Sequence, residues 1–224
     1  MHRMNELEYR LVVVTHGPAP HLPSAVASFE RMVTPAPADL VVVQDGPMSA
    51  MPPITGMGPW RGTVLPRQSG FCEATKAAWE EASADGPDYV FWLENDFVFV
   101  RPVDLTRLAA VLDERPHLAQ MALYRGPVND DERAAGGYLA QHAGWYYPHV
   151  APSGETWYET IRNWTTNPSL FRREFAIRNP WPTIDHCEGH FGFQVRDRDP
   201  QAIFGIWGPE PSVEHLGERT GFGY

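Results

Sequence analysis

The sequence lacks most of the features that announce a protein class. It has two cysteines, Cys72 and Cys187, too few for a disulfide framework or a four-cysteine zinc site and too far apart for paired metal ligands. They are expected to be reduced structural thiols. No uninterrupted apolar stretch approaches the roughly 20 residues of a spanning helix, and residues 1–10 carry no apolar signal core. The expectation is a soluble, cytoplasmic protein with no membrane contact. Basic residues are scarce, 18 Lys plus Arg against 28 Asp plus Glu for a net charge of −10, so the molecule as a whole is no electrostatic clamp for nucleic acid. Any anionic partner has to be met locally. Internal repeats and low-complexity tracts are absent, as is any linker that would divide the chain. The stretch after the first apolar run reads Thr15-His16-Gly17-Pro18-Ala19-Pro20. It has neither the Gly-x-Gly-x-x-Gly of a dinucleotide-binding dehydrogenase nor the Gly-x-Gly-Thr-Arg of a sugar-phosphate nucleotidyltransferase.

What is present is a globular composition, 43% hydrophobic and 21% charged, with alternating strand and helix signals in the first half. Tyr9 to Thr15 is a β-branched run. Leu22, Val26, Phe29 and Val33 then share a helical face, and Asp39 to Asp45 is a second buried strand. A short strand at Thr63 to Leu65 leads to Gly70 and a helix through Ala74, Ala78 and Ala82, before the strongest strand, Asp88 to Leu93. Asp104 is placed to cap a helix through Leu105, Leu108 and Leu112, and His117 to Arg125 reads as another strand. Beyond it the pattern changes. Seven Trp or Tyr residues fall between Tyr138 and Trp164, about twice the density of a chain that is 12% aromatic, and outside clean periodicity. This reads as a recognition loop region.

Two acidic sites fall at strand ends, Asp45 and the triplet Glu94-Asn95-Asp96. In open α/β sheets ligands bind at the carboxyl ends of the strands. The triplet interrupts an otherwise apolar passage, which argues against a solvated turn, and its carboxylates are the hard oxygen ligands that Mg²⁺ or Mn²⁺ takes together with substrate phosphates.

In these residues the sequence resembles the GT-A glycosyltransferases, especially the inverting family 2 type, well over residues 9–125 and more loosely over 164–219. The resemblance implies an α/β GT-A (Rossmann-like) fold with a mixed, mainly parallel central sheet flanked by helices. It implies a single domain over 1–224, with a nucleotide-sugar-binding half (1–125) and an acceptor-binding and catalytic half (126–224). The family's Asp-Asp-Gly-Ser motif is similar to Gln44-Asp45-Gly46-Pro47, leaving Asp45 alone to contact the nucleotide. Its Gly, Ala, Asn helix pattern looks like Gly70, Ala74 and Lys76, and its Asp-x-Asp metal motif looks like Glu94-Asn95-Asp96. By resemblance Asp96 binds Mn²⁺ or Mg²⁺, Glu94 supports the metal or touches the sugar or ribose, Asn95 belongs to the nucleotide-sugar site, and Val213-Glu214-His215-Leu216-Gly217 supplies His215 as a second metal ligand. Cys187-Glu188-Gly189 stands where the family has the Glu-Asp motif of the catalytic base, so Glu188 takes that role with Asp185 in reserve. Arg67 and His16 complete the expected nucleotide contacts.

The implied activity is transfer of a sugar from a nucleotide-sugar, UDP-linked by resemblance, to an acceptor hydroxyl with inversion. Trp157, Trp164 and Asn167 are candidate acceptor walls, since aromatic faces stack on rings and amides read hydroxyls. Between Arg162 and Ile184 four arginines, including Arg172 and Arg173, face one glutamate. That local basic segment raises an anionic, ring-bearing acceptor such as hydroxymethylpyrimidine in DNA, beside a glycan or a protein hydroxyl. Two alternatives stay open: a retaining transferase, and a noncatalytic carbohydrate- or nucleotide-binding protein of the same fold.

Overall fold

The computed structural model describes residues 7–17, 19–46 and 60–217. In chain order the first half holds β1 (Tyr9–His16), α1 (Leu22–Met32), β2 (Val33–Thr34), β3 (Asp39–Asp45), β4 (Arg61–Val64), α2 (Phe71–Ser83), β5 (Tyr89–Glu94), β6 (Phe97–Phe99), β7 (Val103–Asp104), α3 (Leu105–Glu114) and β8 (Leu118–Leu123). There follow α4 (Asp130–Ala135), α5 (Tyr138–Gln141), β9 (Tyr147–Val150), β10 (Thr156–Thr160), β11 (Ser169–Arg172), α6 (Arg173–Arg178), α7 (Cys187–Arg198), β12 (Ile203–Trp207) and β13 (Val213–His215). A nine-stranded sheet runs β4-β3-β1-β5-β11-β8-β12-β10-β9. β4, β3, β1 and β5 are mutually parallel, as are β8 and β12, while β11 lies antiparallel between β5 and β8.

Period-two alternation explains why the central strands are apolar throughout. Leu11, Val13, Leu40, Val42, Phe91 and Leu93 point into one core with Phe29 of α1 and Leu108 of α3. Their neighbours Val12, Val14, Val41, Val43, Val90 and Trp92 point into a second core with Ala78 and Trp79 of α2 and Phe191 of α7. A strand buried on both faces has no polar positions to spare, and its side chains contribute about 1.5–3 kcal/mol each by leaving water.

Register brings the strand ends to one edge. His16 pairs with Asp45 and Val14 with Glu94, so β1, β3 and β5 finish together. Because Ser169 pairs with both Trp92 and Ala122, the antiparallel β11 starts at that same edge, and the residues just before it lie beside the ends of β5 and β8. The aromatic segment expected as a recognition loop is largely regular: β9 and β10 extend the sheet, with Trp157 opposite Trp207.

The cysteines differ from expectation. Cys72, in the first turn of α2, and Cys187, in the first turn of α7, form a disulfide across 115 residues, with Cα atoms 5.8 Å apart. Packing of both helices on the second core brings the thiols together, which spacing in sequence could not show. The pairing corrects the expectation of reduced structural thiols, since disulfides persist in oxidising surroundings. Among the described residues no helix is long and apolar enough to cross a membrane.

Candidate active site

The turn after β5 places Asp96 against His215. Asp96 Oδ2 lies 3.0 Å from His215 Nε2, with both side chains mostly buried. β13 pairs with β6, putting His215 opposite Phe97, and the Leu216 amide donates to the Asp96 carbonyl at 2.7 Å. The strand that carries the histidine is thereby pinned to the turn that carries the aspartate. Asp96 Oδ1 is buried with no hydrogen-bond partner among the described residues. Gly217 packs so closely that a Cβ there would collide with Asp96 Oδ2 and stand 3.0 Å from His215 Cε1.

These observations fit a divalent cation. Two adjacent ligands of an octahedral ion at about 2.1 Å stand about 3.0 Å apart, which matches the Oδ2–Nε2 separation, although that separation also suits a hydrogen bond. Carboxylate oxygen and imidazole nitrogen suit Mn²⁺, and the lone Oδ1 offers a further donor. Among the described residues no group of three or more His, Cys, Asp or Glu forms a complete cage. Two protein ligands suffice where substrate phosphates complete the shell.

On the expected donor side, Asp45 is fully buried and accepts hydrogen bonds from the Ser69 amide (2.6 Å) and the Gly70 amide (2.9 Å). It therefore ties the end of β3 to the start of α2, where Gly70 adopts a φ of +88° that favours glycine. Arg67 is exposed in the same turn. Lys76 instead pairs with Glu80 along α2 at 3.5 Å. Glu94 is buried at the end of β5, and the Asn95 amide donates to the Val14 carbonyl at 3.0 Å, closing the turn onto β1. The His16 side chain and Pro47 lie outside the described residues.

Glu188 sits in the first turn of α7, where the helix N-terminus favours a carboxylate. Its Oε1 accepts from the Thr166 amide (2.8 Å) and hydroxyl (3.1 Å). Thr166 in turn belongs to a loop fixed by Gln120 of β8, fully buried, whose amide donates to the Thr165 carbonyl (2.6 Å) and Ser169 Oγ (2.9 Å). This chain of contacts carries Glu188 to the sheet edge that holds Glu94 and Asp96. Asp185 is exposed and outside the pocket that Glu188 lines.

That pocket has a volume of 320 Å³, with Glu188, Asn163, Asn167, Tyr138 and Arg125 among its walls. Sequence reading missed its central device. Arg125 and Glu132, each with a side chain 5% exposed, form a bidentate pair at 2.6 and 2.9 Å, and the guanidinium lies 4.8 Å from the Tyr138 ring centre. The Tyr138 hydroxyl accepts from Asn163 (2.7 Å) and from Tyr146 (3.0 Å). Burial first, and Tyr138 next, push the Tyr146 hydroxyl above its ordinary pKa, so it stays a donor. Arg125 also adjoins the metal side, since it bridges to Val213 and the Gly126 amide donates to the Val213 carbonyl at 2.8 Å.

Several expected acceptor residues stand elsewhere. Trp157 is 4% exposed, in the first core, with its indole N–H given to Glu159 at 2.9 Å. Trp164 is 3% exposed and packs on Trp79, Phe175 and Phe191 in the second core. Arg172 pairs opposite Tyr89, at the start of β5, and the Arg173 amide donates to the Asp88 carbonyl. Both arginines are at the far end of the sheet from Asp96 because β11 is antiparallel, a reversal invisible in a linear charge count. Of the expected acceptor residues, Asn167 and Trp164 line the pocket.

No family model and no curated protein matches the sequence. Solved structures do. GalNAc-T7, crystallised with UDP, GalNAc and Mn²⁺, superposes with a TM-score of 0.65 at 13% identity, over 98% of this chain and 46% of that one. The S. aureus TarS fragment 1–349 in complex with UDP-GlcNAc gives 0.63 at 12%, over 96% and 60%. The chain has the GT-A fold. S. aureus TarS itself gives 0.61 at 13%, over 94% of this chain and 37% of that one, so this chain spans less than two thirds of each of these neighbours. At such identity the likeness is one of fold, and the residues of the GT-A edge carry any reading of activity.

Proposed function

We propose that the protein is a metal-dependent glycosyltransferase of the inverting type, moving a sugar from a UDP-sugar to an acceptor hydroxyl. The observation that carries this reading is the convergence at one sheet edge of a cation-compatible Asp96–His215 pair and a Glu188 carboxylate held by one oxygen at the wall of a pocket. The neighbours solved with UDP, UDP-GlcNAc and Mn²⁺ support the choice of donor and ion.

In this reading Asp96 and His215 hold Mn²⁺ or Mg²⁺ next to the diphosphate. The bound ion would stabilise charge developing on the leaving nucleoside diphosphate without a proton transfer. Arg67, exposed in the turn beside Asp45, meets the phosphates. Glu188 accepts the proton of the acceptor hydroxyl as that oxygen attacks the anomeric carbon from the side opposite the leaving group, a role worth about 10² to 10⁴ in rate. Thr166 fixes the carboxylate through Oε1 and leaves Oε2 for the proton.

A panel of nucleotide-sugars assayed for Mn²⁺-dependent release of free nucleotide tests the reading, with product configuration read by NMR. No release and no UDP binding with any donor sinks it in favour of a noncatalytic protein. Retention of configuration reassigns Glu188.

A further inference from the structure

The geometry points to an uncharged sugar ring as the acceptor, seated in the pocket walled by Tyr138, Asn163, Asn167 and Glu188. This inference rests on the transferase reading and deepens it. Its first support is charge. The one arginine or lysine in the pocket's lining among the described residues, Arg125, is neutralised inside the wall by Glu132, with two short contacts and almost no solvent exposure on either side chain. Glu188 then remains as a surplus carboxylate. Arg162 is engaged over the Trp145 ring, 5.4 Å from its centre, and Arg172 and Arg173 are at the other end of the sheet. Among the described residues, an anionic acceptor would meet a negative wall with no unpaired guanidinium in its lining to offset it.

The second support is the chemistry of the walls. Ile206 is the sole aliphatic side chain among the lining residues, so the pocket has little to offer an apolar side chain of a peptide. Asn163, Thr165 and Asn167 present amides and a hydroxyl, and Tyr138 and His142 present ring edges or faces, held 4.8 Å apart in an edge-on pair. Sparse, fixed polar groups beside aromatic carbon are what recognise vicinal hydroxyls and the C–H face of a pyranose. The volume, 320 Å³, is at the small end of ligand pockets, which run from about 300 Å³, and suits one ring rather than a polymer segment.

Gly189 provides the test. It lines the pocket in the turn after Glu188, and a Cβ there would meet nothing within 4 Å. Gly189→Leu therefore fills the pocket without straining α7, and Gly189→Ala is the milder variant.

The experiment offers the intact chain, with Mn²⁺ and the donor that releases most nucleotide, the methyl glycosides of glucose, galactose, mannose and N-acetylglucosamine, each beside its 6-phosphate. A serine peptide and hydroxymethylpyrimidine DNA complete the panel. The expected result is transfer to at least one neutral glycoside, at least tenfold lower kcat/KM for its 6-phosphate, and an acceptor KM raised tenfold or more by Gly189→Leu. The dissociation constant for UDP, read separately in each variant, reports an intact donor end. Preference for a phosphorylated sugar, the peptide or DNA overturns the inference, as does an unchanged acceptor KM in both glycine variants. Nucleotide release without transfer to any glycoside overturns it while leaving the transferase reading standing. Loss of both nucleotide release and UDP binding sinks the two together.

Discussion

Thr166 gives both its amide and its hydroxyl to a single oxygen of Glu188, at 2.8 and 3.1 Å. A carboxylate held in this way keeps one orientation and presents its other oxygen.

Two variants separate the base from its support. Glu188→Gln keeps the shape and cannot take a proton, so transfer is expected to fall by about 10² to 10⁴ with UDP affinity unchanged. Thr166→Val retains the backbone amide and loses the hydroxyl, and a hydrogen bond to a charged group of this kind corresponds to about tenfold or more in rate. Its effect should fall on kcat with the KM for donor unaltered. Steady-state kinetics on both variants decides, and full activity in Glu188→Gln would reassign the base.

The metal pair makes a second prediction. Asp96→Asn and His215→Ala are each expected to abolish the Mn²⁺ dependence of UDP binding in calorimetric titration while the thermal transition stays cooperative. Gly217→Ala reaches the same end without replacing a ligand, because its Cβ would collide with Asp96 Oδ2. Ordinary Mn²⁺ titration in all three variants would remove the assignment.

Arg125 and Glu132 differ from a surface ion pair, where the median contribution is at most about 1 kcal/mol. Both are buried, and Glu132 also accepts from the Val128 amide at 3.0 Å. Removing one partner strands the other, so Glu132→Gln is expected to cost about 3–5 kcal/mol, and the double change Arg125→Met with Glu132→Leu to recover most of it. Urea unfolding measures both. Equal loss in the single and double variants would show that an apolar pair cannot replace the two charges.

The disulfide gives a fourth expectation. Cys72→Ser with Cys187→Ala is expected to lower stability by about 2–5 kcal/mol, since cross-links that close long loops restrict the unfolded chain most in the entropic account. Thermal melts with and without a dithiol reductant should then differ for the natural sequence and coincide for the variant.

The sheet was legible where burial is two-sided. β3 occupies Asp39–Asp45, the span its apolar run marks out, and Asp104 caps α3 by accepting from the Thr106 amide at 2.9 Å. Ala74, Ala78 and Ala82 mark the buried face of α2 because small residues let it lie close to the sheet. The placement of Asp96 was legible because it falls in the turn directly after its strand. Contacts were not legible where partners meet only in three dimensions. Gln120 looks like one polar interruption of a strand, and its task of holding the Thr165 loop depends on β11 inserting between β5 and β8. Aromatic density could not show that Trp164, besides lining the pocket, belongs to a ring cluster centred on Trp79.

The sulfur link between α2 and α7 also changes what a cut in the backbone would mean. The stretch from Cys72 to Cys187 is a covalent ring that contains Asp96, Arg125 and the Thr166 loop. Cleavage at an exposed point within it, such as Gly136, opens the ring but yields no separate pieces. The helix that begins at the Asp45 turn and the helix that carries Glu188 would travel together, so nicked protein should run as one species until reductant is added and as two fragments afterwards.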